Sequence, residues 1–169
     1  MSIDALAPRV AQHNERAFEE LYNKTRQAVY SVCLGIVKSH YVAEELSQDT
    51  YVAVWTYSEK FRGKGYKTWI LTIAKNKALN YLKRAQKEVS VDLSQSEEFG
   101  SYENDMELGI TLKTALSVLD EDERQIVLLR NSGVKAKEIA SLMKMPRGTV
   151  SWKYKEAIEK MKKYMEGTK

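Results

Sequence analysis

The sequence is poor in residues that cross-link a chain or bind metal ions. Its 169 residues include a single cysteine, Cys33, and two histidines, His13 and His40. One cysteine cannot form an internal disulfide, and these few residues do not make a cluster with metal-ligand spacing. We therefore expect no metal or other cofactor, and we expect Cys33 to be a small residue of the core.

Long hydrophobic runs and catalytic motifs are also lacking. No apolar stretch approaches the roughly 20 residues of a membrane-spanning helix, and residues 1–12 do not have the basic and then apolar layout of a signal peptide. There is no glycine-rich phosphate loop and no nucleophile paired with a base. The sequence therefore predicts a globular cytoplasmic protein, without membrane insertion, that is not an enzyme.

What the sequence does have is charge that alternates in sign along the chain. The net charge is only +4, yet residues 60–87 contain nine basic residues and no acidic one. Residues 88–110 show the opposite, with seven acidic residues and no basic one. Such segregation indicates several surfaces with different partners.

The basic segment 60–87 has the composition of a surface for unpaired nucleic acid. Aromatic residues are interleaved with its cations, and Gly63 and Gly65 predict a loop before a helix that begins near Lys67 and continues to about Lys87. Cations neutralise phosphates, while aromatic rings stack on bases that have left the duplex. The alternative is a solvated basic helix whose aromatic residues belong to the core, and the segment alone favours neither.

Energies limit what this segment could do alone. Opening a duplex costs roughly 1.4 kcal/mol per base-pair step, and one base stacked on an aromatic ring returns about 1 to 3 kcal/mol. A few captured bases could hold an open strand, but melting many base pairs requires free energy from another protein. The segment therefore predicts a protein that works as part of a larger protein assembly.

Two amphipathic helices are predicted before the basic segment. The first extends from Asn14 to Val37, and Ser39 is placed to cap the second. The outward face of the second helix is acidic and polar, with Glu44, Glu45, Gln48 and Asp49. This face is either simply solvated or a docking surface for a basic partner.

A linker and a second helical unit follow the basic segment. Residues 88–110 are acidic and rich in serine, with no sustained period, which predicts a flexible linker that ends near Met106. Fully extended, it would reach at most roughly 75 Å. Two binding domains on such a tether could contact DNA sites about two helical turns apart.

The C-terminal pattern is typical of a helix-turn-helix. Asp120 and Glu123 match a capping box, Gly133 suits a left-handed helix end, and a turn at 144–146 separates a short helix from a cationic last helix. An ordinary helical hairpin with a basic surface is the alternative. Such motifs read the major groove with the start of the second helix, where this chain has Arg147, Thr149, Ser151, Trp152, Lys153 and Lys155.

Four segments together resemble one family, the bacterial sigma factors of the extracytoplasmic-function type in the sigma-70 superfamily. They are AFEELY at 17–22, AEELSQDTYVAVW at 43–55, FRGKGYKTWILTIAKNKALNYLKR at 61–84 and LDEDERQIVLLRNSGVKAKEIASLMKMPRGTVSWKYKEAI at 119–158. The resemblance implies an all-α fold of two small helical domains joined by a flexible acidic linker, the second domain being a helix-turn-helix. The implied bounds are 1–87, 88–105 and 106–169.

The resemblance also implies partners and roles for residues already named. Glu45, Gln48 and Asp49 match positions with which the family binds core RNA polymerase, and the C-terminal residues above match those that read the minus-thirty-five promoter element. An anti-sigma factor is the family's usual regulator. The set implied to bind the minus-ten element comprises Phe61, Arg62, Lys64, Tyr66, Lys67, Trp69, Asn76, Asn80 and Lys83.

The sequence departs from the family at three positions. Lys144 stands at a turn where glycine is frequent, Trp152 where a small polar residue is common, and Glu156 where a basic residue is common. Glu156 would repel phosphate if it faced DNA.

Two other functions stay open. A free-standing helix-turn-helix regulator would leave the aromatic loop and the acidic helix face without a role. A helical adaptor that binds only proteins would leave the cationic last helix without one.

Overall fold

The structure is a computed structural model that describes residues 1–89 and 115–167. These residues form helices and turns with no strand, which confirms the predicted all-α class. The helices are α1 (Ile3–Ala11), α2 (Glu15–Val37), α3 (His40–Tyr57), α4 (Tyr66–Val89), α5 (Glu121–Asn131), α6 (Ala136–Met143) and α7 (Arg147–Gly167). The predicted linker 88–105 and the domain start at Met106 lie outside the described residues, apart from the end of α4.

The predicted starts of α2 and α3 are confirmed by their caps. The Asn14 side chain accepts a hydrogen bond from the Ala17 amide at 2.9 Å, and the Ser39 hydroxyl accepts one from the Val42 amide at 3.3 Å. Each bond satisfies an amide that has no partner within its own helix. The polar residue before each apolar stripe therefore determines where the helix begins.

Helix α1 is not indicated by the sequence pattern. Pro8 lies inside it, where a proline removes a backbone donor. The helix forms because Leu6, Ala7 and Val10 are buried against the rest of the N-terminal half. Tertiary packing thus outweighs a weak local preference.

The N-terminal half packs α1, α3 and α4 around the long helix α2. Buried hydroxyl groups in this core have hydrogen-bond partners: the Thr25 and Tyr51 oxygens are 2.7 Å apart, and the Thr50 hydroxyl donates to the Leu46 carbonyl at 2.8 Å. Cys33 is fully buried, as predicted, and burial raises the pKa of its thiol to about 12. The thiol is therefore protonated and unreactive at neutral pH.

The C-terminal half has the predicted helix-turn-helix. The capping box is present, with the Glu123 amide donating to Asp120 at 2.8 Å and the Asp120 amide donating to Glu123 at 3.4 Å. Gly133 ends α5 with a φ of 86°, and Lys144 ends α6 with a φ of 54°. A lysine in this left-handed conformation costs about 1 kcal/mol or more, which glycine would avoid.

The two halves lie against each other. Helix α5 packs on α2, where a side chain at Gly35 would place its Cβ 3.2 Å from Gln125 Cγ. The hydroxyl groups of Ser31 and Ser132 are 2.6 Å apart across this contact. Buried apolar residues of both halves, including Ile126 and Leu129, belong to one continuous core cluster.

The capping box yields a stability prediction. We expect Asp120→Ala to lower the free energy of unfolding by about 1 kcal/mol, because the Glu123 amide at the start of α5 loses its acceptor. Urea denaturation measures this loss. Asp122→Ala removes a carboxylate from the same helix turn, and an equal loss in that variant would show that charge alone is responsible.

The same residue gives a pH dependence. Burial opposes ionisation of Asp120, but hydrogen bonds from Glu123 and the nearby Lys153 and Lys160 together lower its pKa in the folded chain. A carboxyl with a lowered folded pKa contributes stability above its unfolded pKa, and this contribution is lost as the pH falls through the folded value. The difference between the wild type and Asp120→Ala should therefore shrink in acid.

Candidate functional site

The loop before α4 is exposed, and hydrogen bonds fix its C-terminal end. A short 3₁₀ turn, Ser58–Lys60, leads into it, and Gly63 and Gly65 both have a φ of 88°. The Asp4 carboxylate of α1 accepts hydrogen bonds from the Gly65 amide at 3.2 Å and from the Tyr66 amide at 2.8 Å. Asp4 therefore caps α4 from a distant part of the sequence, which is why sequence reasoning missed it.

Three aromatic side chains cluster beside this loop. Ring centroids lie 4.9 Å apart for Phe61 and Tyr66, and 5.6 Å apart for Tyr66 and Trp69. Phe61 and Trp69 are half-buried, but Tyr66 is fully buried and its hydroxyl lies 2.6 Å from that of Ser58. Burial of Tyr66 argues against the prediction that its ring contacts DNA, and its place in the core indicates that it positions the other two rings.

Exposed cationic and amide side chains lie on both sides of the aromatic cluster, in the loop and along α4. Arg62 and Lys64 are exposed in the loop, and Asn76, Asn80 and Lys83 are exposed along α4. The last three follow a spacing of four and then three residues, so they share one face of the helix. The loop and this face together form a basic and polar surface.

Two lysines of α4 have partners in α6 instead of facing solvent. Lys67 forms an ion pair with Glu138 at 3.4 Å, and Lys75 donates a hydrogen bond to the Leu142 carbonyl at 3.1 Å. Lys75 therefore does not face solvent, although it lies off the apolar stripe of α4. The sequence pattern could not show it, since the partner lies far along the chain.

The acidic face of α3 is open. Glu44, Glu45, Gln48 and Asp49 are all exposed, as predicted. Among the described residues, Glu44 lies 3.5 Å from a ring nitrogen of His40, and no ion pair engages Glu45 or Asp49. Nothing within the described fold requires these charges.

A half-open cavity of about 360 Å³ lies beside this acidic face, between α2 and α3. Gln48 and Glu44 line it together with Tyr22 and Tyr51. Sequence reasoning missed the cavity, because Tyr22 follows the apolar stripe of α2 and yet is 42% exposed. The face therefore combines charge with aromatic surface.

The start of α7 is the second cationic surface. Arg147, Ser151, Trp152 and Lys155 are exposed, whereas Thr149 and Lys153 are partly buried. Trp152 is 61% exposed, which is high for a residue of its size. All six predicted residues thus lie on the first turns of the helix that follows the turn, and Val150 anchors these turns in the core.

Within residues 1–89 and 115–167, no helix combines the length and apolarity that crossing a membrane requires. The same residues include no group of three or more acidic, histidine or cysteine side chains that could hold a metal ion.

Comparison with known proteins identifies both halves. The model of sigma-70 region 2 matches residues 21–88, and that of sigma-70 region 4 matches residues 115–163. The ECF RNA polymerase sigma factor SigK of Mycobacterium tuberculosis is 34% identical over 86 residues, which are 50% of this chain and 46% of the relative. The chain therefore spans about half the length of that relative.

A second relative aligns over nearly the whole chain. The RNA polymerase sigma-H factor of Pseudomonas aeruginosa is 27% identical over 176 aligned positions, which cover 92% of this chain and 91% of the relative. The shared part therefore includes both halves.

Two solved structures have the same fold. The sigma factor RpoE, in complex with the anti-sigma factor NepR from Bartonella quintana, has a TM-score of 0.69 at 23% identity and covers 88% of this chain and 95% of its own. CnrH, in complex with the cytosolic domain of CnrY, has a TM-score of 0.71 at 20% identity over 99% and 100% of the two chains. At these identities the likeness shows the fold alone.

The role of Asp4 can be tested by proteolysis. We expect Asp4→Ala to increase the rate at which trypsin cleaves after Arg62 and Lys64 by about tenfold. Two backbone amides lose a charged acceptor, which is worth about 1.5 to 3 kcal/mol for such a hydrogen bond. Mass spectrometry of the early fragments measures the two sites separately.

Asp4→Asn is the matched control, because its amide oxygen still accepts a hydrogen bond. Its cleavage rate should lie between those of the wild type and Asp4→Ala, because a neutral acceptor makes a weaker hydrogen bond than a carboxylate. Equal rates for the alanine and wild-type chains would show that Asp4 does not hold the loop.

Proposed function

Because this chain belongs to the sigma-70 superfamily, and within it to the extracytoplasmic-function sigma factors, we propose that it directs transcription initiation. It binds core RNA polymerase, recognises a minus-ten and a minus-thirty-five promoter element, and supports promoter opening. Sigma factors are initiation factors and not enzymes, so none of its residues is assigned a catalytic role. The observation that carries the proposal is that one chain has two separate cationic surfaces and one exposed acidic face.

The acidic face of α3 is the proposed contact with core polymerase. Glu45, Gln48 and Asp49 are exposed and, among the described residues, form no ion pair with another side chain. A row of exposed carboxylates with no internal partner suits a basic protein surface, since complementary charge steers association and fixes its register. Polymerase is the basic partner that the family assignment favours.

The surface around the loop and α4 is the proposed contact with the minus-ten strand. Arg62 and Lys64 can neutralise phosphates, and the half-buried rings of Phe61 and Trp69 can stack on unpaired bases. Asn76 and Asn80 can accept or donate hydrogen bonds at base edges. Tyr66 supports this surface from the core.

The start of α7 is the proposed reader of the minus-thirty-five element. A recognition helix enters the major groove by its first turns, where Arg147, Ser151 and Lys155 are exposed. Trp152 adds an apolar surface that can contact a thymine methyl group. Glu156 is half-buried and lies beyond these turns, which reduces its repulsion of phosphate.

Domain bounds and further partners follow as part of the same proposal. The polymerase and minus-ten domain comprises residues 1–87, an acidic linker residues 88–105, and the minus-thirty-five domain residues 106–169. The solved relatives named above are complexes with NepR and with CnrY. We therefore include an anti-sigma factor among the partners of this chain, and the cytoplasm as its location.

Transcription assays test the whole proposal. Purified chain and core polymerase should initiate at double-element promoters within a broad promoter library, and a pre-melted template should reduce the need for the opening step. Tight duplex binding without polymerase would favour the free-standing regulator instead. Polymerase-independent protein binding with no DNA contact would favour the adaptor.

Charge reversal tests the polymerase contact. We expect Asp49→Lys to weaken binding to core polymerase at least tenfold, which corresponds to about 1.4 kcal/mol, because it places a cation against a basic partner. Titration of labelled chain with core polymerase measures the affinity. Glu159→Lys makes the same change at an exposed site on α7 and should bind normally, so equal effects would count against the assignment of α3.

Side-chain truncation tests the upstream contact. We expect Arg147→Ala to lower affinity for the minus-thirty-five element by about 1 to 3 kcal/mol, since a contact with a base or phosphate is lost. Binding of the assembled holoenzyme to promoter fragments, at several salt concentrations, measures it. Lys163→Ala removes an exposed cation far from the start of α7, and a loss as large as that of Arg147→Ala would contradict the assignment.

A further inference from the structure

Trp152 differs from the other two tryptophans of the chain in having no place in the core. The Trp55 ring lies against Phe18, with centroids 5.0 Å apart, and the Trp69 ring stacks on Tyr66 at 5.6 Å. Trp152 is 61% exposed and, in the part of the chain that the structure describes, it belongs to neither hydrophobic cluster and contacts no other aromatic ring. The fold therefore gains less from this indole than from the other two.

Helix α7 places this indole on the side that faces away from the core. Trp152 follows the buried Val150 by two residues, which is about 200° around an α-helix. Gly148 and Lys155 are exposed and lie one turn before and one turn after Trp152, so the three residues share one outward stripe. The stripe begins at the end of α7 that is proposed to enter the major groove. Trp152 therefore lies in the middle of the proposed DNA-reading face.

The helical turn before Trp152 leaves room for its ring. Long side chains in a helix point toward its N-terminus, so the indole covers the turn that contains Gly148. A Cβ at Gly148 would meet no atom of the described residues within 4 Å, and the φ of this residue is not positive. The fold itself therefore does not require a glycine there. The missing side chain instead allows the helix backbone and the indole to come close to a bound duplex.

We propose that Trp152 determines specificity for one thymine of the minus-thirty-five element, which it recognises by the 5-methyl group. This inference rests on the proposed function of α7 and goes beyond it, because it commits one position of the element to an A·T pair. In the major groove, thymine presents a methyl group that cytosine lacks. A flat apolar ring removes that methyl group from water, which is favourable in proportion to the apolar area buried.

The chemistry of the indole favours a methyl group over a hydrogen-bonding partner. Its ring nitrogen is a single donor, and the ring has no acceptor. Arg147 and Lys155, which are exposed on the same turns, supply charged donors that make stronger hydrogen bonds to guanine or phosphate. Ser151 supplies a small hydroxyl group that can donate or accept. What Trp152 adds to these side chains is apolar area.

Removal of single methyl groups from the DNA tests this inference. The preferred minus-thirty-five element is first selected from a randomised promoter library, with holoenzyme assembled from core polymerase and the full-length chain. Each thymine of the selected element is then replaced in turn by deoxyuridine, which lacks only the 5-methyl group, and the affinity of the holoenzyme is measured by titration. We expect one replacement to weaken binding about fourfold, the factor that corresponds to burial of one methyl group. At the same position, 5-methylcytosine should bind better than cytosine by a similar factor.

Two variants separate the indole from the rest of the DNA-reading face. In Trp152→Ser, the thymine and deoxyuridine elements should bind equally well, because the methyl group has lost its apolar partner. Lys155→Ala is the matched control, since it removes a cation from the same stripe. It should weaken binding to both elements by the same factor and leave the ratio of the two affinities unchanged. Because the result is a ratio of affinities for two DNAs, a partial loss of folded chain does not alter it.

The outcomes separate this inference from the proposed function. If no deoxyuridine replacement weakens binding, or if the weakening persists in Trp152→Ser, thymine recognition by Trp152 is wrong, while the reading of an upstream element by α7 stands. A 7-deazapurine replacement that weakens binding of the wild type but not of Trp152→Ser would show that the indole donates a hydrogen bond, which also overturns the inference. If the holoenzyme selects no upstream element at all, the proposed function fails and this inference fails with it.

Discussion

The burial of α2 on several sides is the constraint on which the structure depends. Helices α1, α3 and α4 pack on this helix, and α5 packs on it near its C-terminal end. Leu21 and Val29 are buried in the N-terminal core, whereas Gly35, which has no side chain, allows Gln125 to pack closely against α2. One helix therefore sets the position of the acidic face, of the loop before α4 and of the helix-turn-helix.

The surfaces to which we assign a function are those where the fold leaves charged side chains without an ion-pair partner. Within the described residues, Glu45 and Asp49 on α3 form no ion pair, and neither do Arg62 and Lys64, of which Arg62 donates only to nearby backbone carbonyls. Packing gains nothing from such groups, and exposed charges contribute little to stability. Their separation into one acidic and two basic surfaces is instead suited to one protein partner and two segments of DNA.

Local features of the fold were predictable from the sequence, and features that depend on distant contacts were not. The caps at Asn14, Ser39 and Asp120 and the left-handed end at Gly133 follow from short patterns. The contact of Asp4 with the loop and that of Lys75 with α6 could not be predicted, because each joins residues more than 60 positions apart in the sequence. The burial of Tyr66 could not be predicted either, since an aromatic residue in a basic segment is equally compatible with the core and with the surface.

Electrostatics sets the cost of collecting so many cations in one segment of the chain. Residues 60–87 carry nine cations and no acid, so they repel one another until anions approach. Glu138 supplies one such anion at Lys67, in an ion pair that is still partly exposed to water and therefore weak. Arg62, Lys64 and Lys83 are exposed and, within the described residues, form no ion pair with a carboxylate. Phosphates would relieve the repulsion among such cations, which is why this segment suits the DNA contact proposed for it.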